Sequence, residues 1–224
     1  MANVPYQTNF RFLLHPCLVA ALPLINNYSF LIQNVNSLNL NSCASSRKGR
    51  RVFHKKMTSI FRQMSDFILL CDTRLTDRRT KEFYTFCRSN PTCKYEAFFT
   101  HTGSKRGVAV LKKNDVDLEC EIIASDPLGN FIILKCFHKS NPNDFFYVSS
   151  VYGPYQCNDN LFVSKVLDHF VDSNVDFLVG GDWNSVTDSR SPPDNLDLLN
   201  PLVPMAPLVD RFERNFKGHL IRGF

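Results

Sequence analysis

The stretch V-D-F-L-V-G-G-D-W-N, Val175 to Asn184, decides how this chain is read. An apolar run of strand character stops at Gly180 and Gly181. It then delivers a carboxylate, Asp182, and two positions later a carboxamide, Asn184. Side chains alternate along an extended backbone, so Asp182 and Asn184 are expected on one side and Trp183 on the other, inside the sheet packing. The glycines allow a tight turn and leave room for a ligand. Polar groups at the C-terminal mouth of a central strand stand where ligands commonly bind. The same residues also read as a plain strand end followed by an Asp/Asn turn.

Working outward, three more apolar runs end in polar groups. Tyr28 to Gln33 runs into Asn34, Asn36 and Ser37. Asp66 to Cys71 empties into Asp72, Thr73 and Arg74. Asp144 to Tyr152 closes on Gly153-Pro154. Helical patterns lie between them. Phe53, Met57, Ile60, Phe61 and Met64 recur at helical spacing, after a polar, basic stretch from Asn39 to Arg51 that reads as a loop. Thr76 can cap a helix carrying Phe83, Phe86 and Cys87. Leu161, Lys165, Val166, Leu167 and Phe170 fall in a helix before the Asp182 strand. In the middle, Tyr95 to Thr100, Gly107 to Lys112, Leu118 to Ala124 and Phe131 to Phe137 are strands in quick succession. Asp126 to Asn130 supplies a turn there, so a meander or a set of hairpins is expected. The Ser-, Asp- and Pro-rich residues after Asn184, up to Pro207, read as a long loop. No internal repeat is present.

A chain of 224 residues fits one domain. The expected division is a leader of uncertain structure over 1–27 and the domain proper over 28–224. With 44% hydrophobic and 21% charged residues, the chain falls in the globular class, not the disordered or fibrous ones. A net charge of +5 suits a polyanionic partner. Eight cysteines show neither a C-x-x-C pair nor zinc-ligand spacing, and Cys71, Cys120 and Cys136 sit in strand-like runs, so reduced core thiols are expected. Cys87 and Cys93 flank a turn and read as two free thiols. Phe12 to Ile25 follows Arg11 and has a faint signal-peptide character. His15, Pro16 and Pro23 interrupt it, and it is too short to span a bilayer, so no membrane partner is expected. The expected location is intracellular, nuclear or cytoplasmic.

Several basic residues carry two readings. Arg47, Lys48, Arg50, Arg51, Lys55 and Lys56 either grip phosphates or form a solvated face. Lys105 and Arg106 either face the cleft or close a hairpin. Arg74 contacts DNA or pairs with Asp72 or Asp77. The twenty phenylalanines are read as core, not as base-stacking platforms.

In an α/β sandwich, strand ends at one edge converge on a cleft. Here those ends bring Asn34, Asp72, Tyr152, Asp182 and Asn184 together. The set is rich in oxygen and has no Cys/His cluster. It suits a hard ion such as Mg²⁺, or Mn²⁺, which binds one or two protein carboxylates plus a substrate phosphate. Metal-assisted phosphodiester hydrolysis is favoured over acyl transfer.

Five segments in order, Q-N-V-N-S-L (Gln33 to Leu38), L-C-D-T-R-L (Leu70 to Leu75), S-K-R-G-V-A-V-L (Ser104 to Leu111), V-Y-G-P-Y (Val151 to Tyr155) and G-G-D-W-N (Gly180 to Asn184), resemble the endonuclease/exonuclease/phosphatase superfamily. Within it they are most similar to the apurinic-endonuclease-like domain of non-LTR (LINE-type) retrotransposon proteins. The resemblance covers roughly Ser29 onward. It implies two mixed β-sheets packed as a four-layer sandwich with helices on the outer faces. It also implies a Mg²⁺-dependent enzyme that nicks DNA, as part of a larger reverse-transcriptase polyprotein. On its terms, Asn34 and Asp72 serve the metal, Tyr152 sits beside the scissile phosphate, Asp182 activates or orients the attacking water, and Asn184 binds a phosphate oxygen. Arg74, Lys105 and Arg106 contact nucleic acid.

Two departures from the family pattern stand out. Asp72 takes the place of the usual glutamate. The late S-R-I-D strand and terminal S-D-H pair do not occur in the sequence, and His219 lacks the preceding Ser-Asp. The expectation is therefore a C-terminally truncated domain, without its last strands and with impaired turnover. Two alternatives go with it: a catalytically dead remnant that at most binds nucleic acid, and a lipid or inositol-phosphate phosphodiesterase of the same superfamily.

Overall fold

The computed structural model describes residues 11–13, 17–21, 24–38, 47–103, 105–154, 160–170, 175–186, 203–204 and 219–222. The long loop expected after Asn184 lies mostly outside these residues.

One mixed sheet carries the first half of the domain. Its strands are β1 (Arg11–Leu13), β3 (Phe30–Asn34), β4 (Phe67–Cys71), β6 (Gly107–Lys113) and β5 (Tyr95–His101), in the order β1-β3-β4-β6-β5. The second mixed sheet is ordered β13-β2-β10-β9-β8-β7. It is built from β2 (Cys17–Ala21), β7 (Glu119–Ser125), β8 (Phe131–His138), β9 (Asn141–Tyr152), β10 (Phe177–Asp182) and β13 (His219–Arg222). Two short strands, β11 (Ser185–Val186) and β12 (Val203–Pro204), pair in parallel apart from both. Part of the 1–27 segment is thus strand, β1 beside β3 and β2 between β10 and β13.

The strand period sorts the core into layers. In β4, Phe67, Leu69 and Cys71 face the second sheet, while Ile68 and Leu70 face outward. Both faces are covered, which is why all five residues of β4 are buried and apolar. Between the sheets, Phe30, Ile32, Leu69, Val110, Leu134, Val148 and Leu178 form one dry layer. Outside the first sheet lie α1 (Arg47–Phe61) and α2 (Asp77–Ser89). They contribute Phe53, Met57, Ile60, Phe61, Phe83 and Cys87. Outside the second sheet, α3 (Asn160–Leu167) and the turn after it contribute Phe162, Val166, Leu167 and Phe170. The result is the four-layer α/β sandwich expected from the sequence. Among the described residues no helix is long and apolar enough to cross a membrane.

The middle strands form a set of hairpins, one of the two arrangements expected: β5 and β6 pair in the first sheet, β7 and β8 in the second. Two expectations are corrected. Helix α1 starts at Arg47, inside the stretch read as loop, because its exposed face is basic and its buried apolar side chains begin only at Phe53. Met64 lies past the end of α1, at positive φ and half exposed, and does not continue its apolar face. The thiols of Cys71, Cys87, Cys93, Cys120 and Cys136 are free, as expected.

Candidate active site

Two parallel strand pairs end at one edge of the sandwich. β3 runs beside β4, with Asn34 opposite Cys71. β9 runs beside β10, with Tyr152 opposite Asp182. Each pair stays zipped beyond its strands. After β3, the N–H groups of Val35, Ser37 and Leu38 donate to the carbonyls of Cys71, Asp72 and Thr73 at 2.7–3.0 Å. After β9, Gly153 N–H donates to the Asp182 carbonyl at 2.7 Å. The extended zips hold the polar strand ends in register instead of letting them fray.

The backbone at these ends is left-handed at Asn36, Ser37, Asp72, Arg74 and Asn184. Such φ values are uncommon outside glycine and cluster where the surrounding structure imposes them. Asn and Asp tolerate them best. Gly153 is required by crowding: a Cβ there would run into the Trp183 carbonyl. Gly181 is extended, but its φ of +154° brings any Cβ onto the Val151 carbonyl. The glycines of the V-G-G-D-W-N stretch therefore serve strand-to-strand approach as much as ligand space.

The side chains meet across the two sheets. Asn34 Nδ2 donates to Asp182 Oδ2 at 2.7 Å, joining the first sheet to the second. Asn34 Oδ1 in turn accepts the Asn36 N–H at 2.9 Å, which fixes the orientation of the amide. Asp182 Oδ1 accepts the Asn184 N–H at 3.0 Å. Asn184 Nδ2 donates to the Gly153 carbonyl. Strand alternation was expected to align Asp182 with Asn184, yet β10 ends at Asp182 and Asn184 has φ +50°. An Asx turn holds the two together, so the plain Asp/Asn turn and the site coexist in the same residues. Trp183 points into the packing as expected, 5% exposed and edge-on to Phe162.

Asp72 is the other carboxylate. It is 3% exposed, and Arg74 holds it in a fork, Nε to Oδ1 at 2.7 Å and Nη2 to Oδ2 at 2.9 Å. Burial raises its pKa above the ordinary value, against the lowering pull of Arg74 and a Tyr152 hydrogen bond. Tyr152 lies opposite Asp182 on the neighbouring strand, with Arg74 and Asn184 close enough to act on its hydroxyl. Its own pKa is raised by burial and then by the charges of Asp72 and Asp182, so it stays a phenol that can donate. Asp72 and Asp182 also act on each other electrostatically. All five residues of the expected constellation therefore belong to one cluster.

The basic candidates divide. Arg74 pairs with Asp72, not Asp77. Arg106 donates Nη1 to Asn130 Oδ1 at 3.1 Å and braces the turn from Asp126 to Asn130. Lys105 is exposed next to it. Sequence reasoning missed the part played by Lys56. Its ammonium, on α1, donates to the carbonyls of Val35, Asn36 and Ser37 at 2.9, 3.2 and 2.9 Å, capping the loop that carries Asn34. Burial lowers its pKa. Its position one helical turn before Ile60 was legible, but its target was not.

Among the described residues no three His, Cys, Asp or Glu side chains gather around a metal position. The donor types nevertheless fit a hydrated hard ion: two carboxylates and a carboxamide oxygen, with room in the ligand demand for solvent and phosphate. Asp72 can serve such an ion only by sharing or releasing its fork to Arg74.

No family model matches this chain. No curated protein matches it. Solved structures do. An AP endonuclease from Leishmania major is 15% identical with a TM-score of 0.54, the alignment covering 84% of this chain and 66% of that one. An AP endonuclease from Archaeoglobus fulgidus and the APE2 catalytic domain from Xenopus laevis are each 15% identical with TM-scores of 0.48, over 82% of this chain and 67% of theirs. The chain thus spans just under two-thirds of the Leishmania chain. The likeness to that structure shows the sandwich fold that the sequence motifs imply.

Proposed function

We propose that this chain is a divalent-metal-dependent phosphodiesterase that nicks one strand of DNA, an endonuclease domain of the non-LTR retrotransposon type that works beside a reverse transcriptase. The observation that supports it most is the meeting of Asn34 and Asp72 from one sheet with Tyr152, Asp182 and Asn184 from the other. A sequence separation of 148 positions is bridged by the short contact of Asn34 with Asp182, a costly arrangement for a merely structural strand edge.

In this reading Asp72 and Asn34 hold Mg²⁺ or Mn²⁺. The ion, when bound, neutralises charge developing on the phosphoryl oxygens. Asp182, fixed by Asn34 and the Asn184 N–H, orients the attacking water and accepts its proton. Tyr152, kept protonated by burial and by the two nearby carboxylates, donates to a phosphate oxygen. Asn184 binds a second phosphate oxygen after exchanging its hold on Gly153. Arg74, whose side chain is 39% exposed beside Asp72, would reach the DNA backbone with its guanidinium.

The test has two readouts, one of metal binding and one of cleavage. Mg²⁺ or Mn²⁺ raises the melting temperature of the parent and not of Asp72→Asn or Asp182→Asn. The parent converts supercoiled plasmid to nicked circles, and Asp182→Ala does not. Metal-independent melting together with nicking that survives Asp182→Ala defeats the reading. A second reading, a remnant that binds nucleic acid without cleaving it, is favoured by the fork of Arg74 on Asp72. Binding without either metal response selects it.

A further inference from the structure

We infer that the outer groove between α1 and α2 is a binding site for single-stranded nucleic acid, separate from the cleft at the strand ends. The groove has a volume of about 530 Å³ and is lined by Arg50 and His54 of α1 and by Arg78, Lys81, Glu82, Thr85, Phe86 and Ser89 of α2.

Its charge is unspent. Arg50, Arg78 and Lys81 are exposed and make no ion pair or hydrogen bond among the described residues. The one carboxylate in the lining is already engaged. Glu82 Oε2 takes the guanidinium of the buried Arg79, and its Oε1 lies 3.7 Å from His54 Nε2. The groove therefore presents free cations above a neutralised acid.

Its floor is aromatic. Phe86 is half-buried and meets the His54 ring at 5.0 Å and the Phe53 ring at 5.9 Å, both edge to face. Cationic walls that track a backbone, with an aromatic face below for a base, are what sequence-tolerant single-strand sites combine. A duplex buries its base faces and would use the walls alone. A folded acidic protein partner would use the cations and leave the half-exposed Phe86 between them without a role.

The course of the groove fits a strand. α1 and α2 both leave the edge where β3 and β4 end: α1 connects β3 to its parallel neighbour β4, and α2 starts five residues after Asp72. Along α2, Arg78, Lys81, Thr85 and Ser89 follow one helical stripe away from that edge. A strand leaving the edge would meet Arg50 and Arg78 first. The inference does not depend on the catalytic reading, since it needs no metal and no cleavage.

The test is anisotropy titration of the full chain with a fluorescein-labelled oligothymidylate of about 12 nucleotides, a length within the range one such groove tracks. The combined variant Arg50→Ala, Arg78→Ala, Lys81→Ala is expected to bind at least about tenfold more weakly, with the slope of log K against log salt shallower by about 2. A charge-matched control, Arg62→Ala, Lys94→Ala, Lys139→Ala, is expected to change affinity by less than about twofold, because its cations lie outside the groove. Phe86→Leu is expected to weaken binding about fivefold at unchanged salt slope, as loss of stacking without loss of charge. Equal weakening by the two triple variants overturns the inference in favour of diffuse charge. So does parent-like binding by the groove variant. Parent-like binding by Phe86→Leu, with a heparin fragment competing as well as oligothymidylate, overturns the single-strand assignment.

Discussion

The strand pairs β3/β4 and β9/β10 solve the same construction problem in two ways. Both are parallel pairs, both stay zipped past their last paired residues, and both end in a buried or half-buried carboxylate. On the first pair, Asp72 is held by a charge, the guanidinium of Arg74. On the second, Asp182 is held by neutral donors, the amide of Asn34 and the N–H of Asn184. The contrast matters for chemistry. Neutral donors orient a carboxylate while leaving its full negative charge available to a cation or a proton. A guanidinium orients and also cancels it. Asp182 is therefore ready to act, and Asp72 must first exchange partners.

The sharpest way to break this contrast is through rate. Asp182→Asn keeps the shape and removes the charge, and is expected to slow plasmid nicking by about a thousandfold, or about 4 kcal/mol. A drop of less than tenfold would remove Asp182 from the chemistry and leave Asp72 as the acting carboxylate.

The next effect concerns the zip itself. Gly153→Ala places a methyl against the Trp183 carbonyl, so the two loops must part; a loss of about 3 kcal/mol in urea unfolding is expected. An unchanged midpoint means the β9/β10 loops are not held as tightly as those after β3/β4.

Removing the charged partner comes third. Arg74→Ala leaves Asp72 buried and unpaired. Because the Arg74 side chain is 39% exposed and screened by solvent, the expected cost is about 1–2 kcal/mol, less than for a fully buried pair. The matching change on the other pair, Asn34→Ala, costs a hydrogen bond to a carboxylate that keeps its Asn184 donor, about 1 kcal/mol. If the two costs come out reversed, charge is not what distinguishes the pairs.

The smallest effect is a pH drift. The folded pKa of Asp72 lies above its unfolded value of 3.8, so the folded state binds the proton more tightly. That contribution to stability is present in full below the unfolded value and is lost as pH rises through the folded one. Asp72→Asn carries no such titration. The variant should therefore gain on the parent as pH rises from about 4 toward neutrality in metal-free buffer, by under about 1 kcal/mol. A gap that narrows instead assigns Arg74 the upper hand over burial.

Much of this was legible in the residues. The runs ending at Asn34, Asp72 and Asp182 are apolar on both faces, as buried central strands are, and with the run ending at Tyr152 their polar ends name the edge. What alternation cannot encode is the partner of a strand. Nothing in Gly107 to Lys112 or Leu118 to Ala124 tells which sheet each joins, so the hairpins were visible and their separation was not. The Asp72–Arg74 fork was one of several open pairings, because it depends on two left-handed residues that side-chain pattern does not reveal. Lys56 looked like one more cation in a basic run. Only the fold brings it to the loop after β3.

The bond from Asn34 to Asp182 also ties local chemistry to core packing. Its two ends belong to different sheets, and the gap between those sheets is set by Ile32 and Leu69 closing on Gly180. Trimming a methylene from that buried seam, just behind Asn34 and Asp182 on their own strands, would let the sheets settle and reset the mouth of the cleft. The sandwich filling is thus the gauge block against which the working edge is machined.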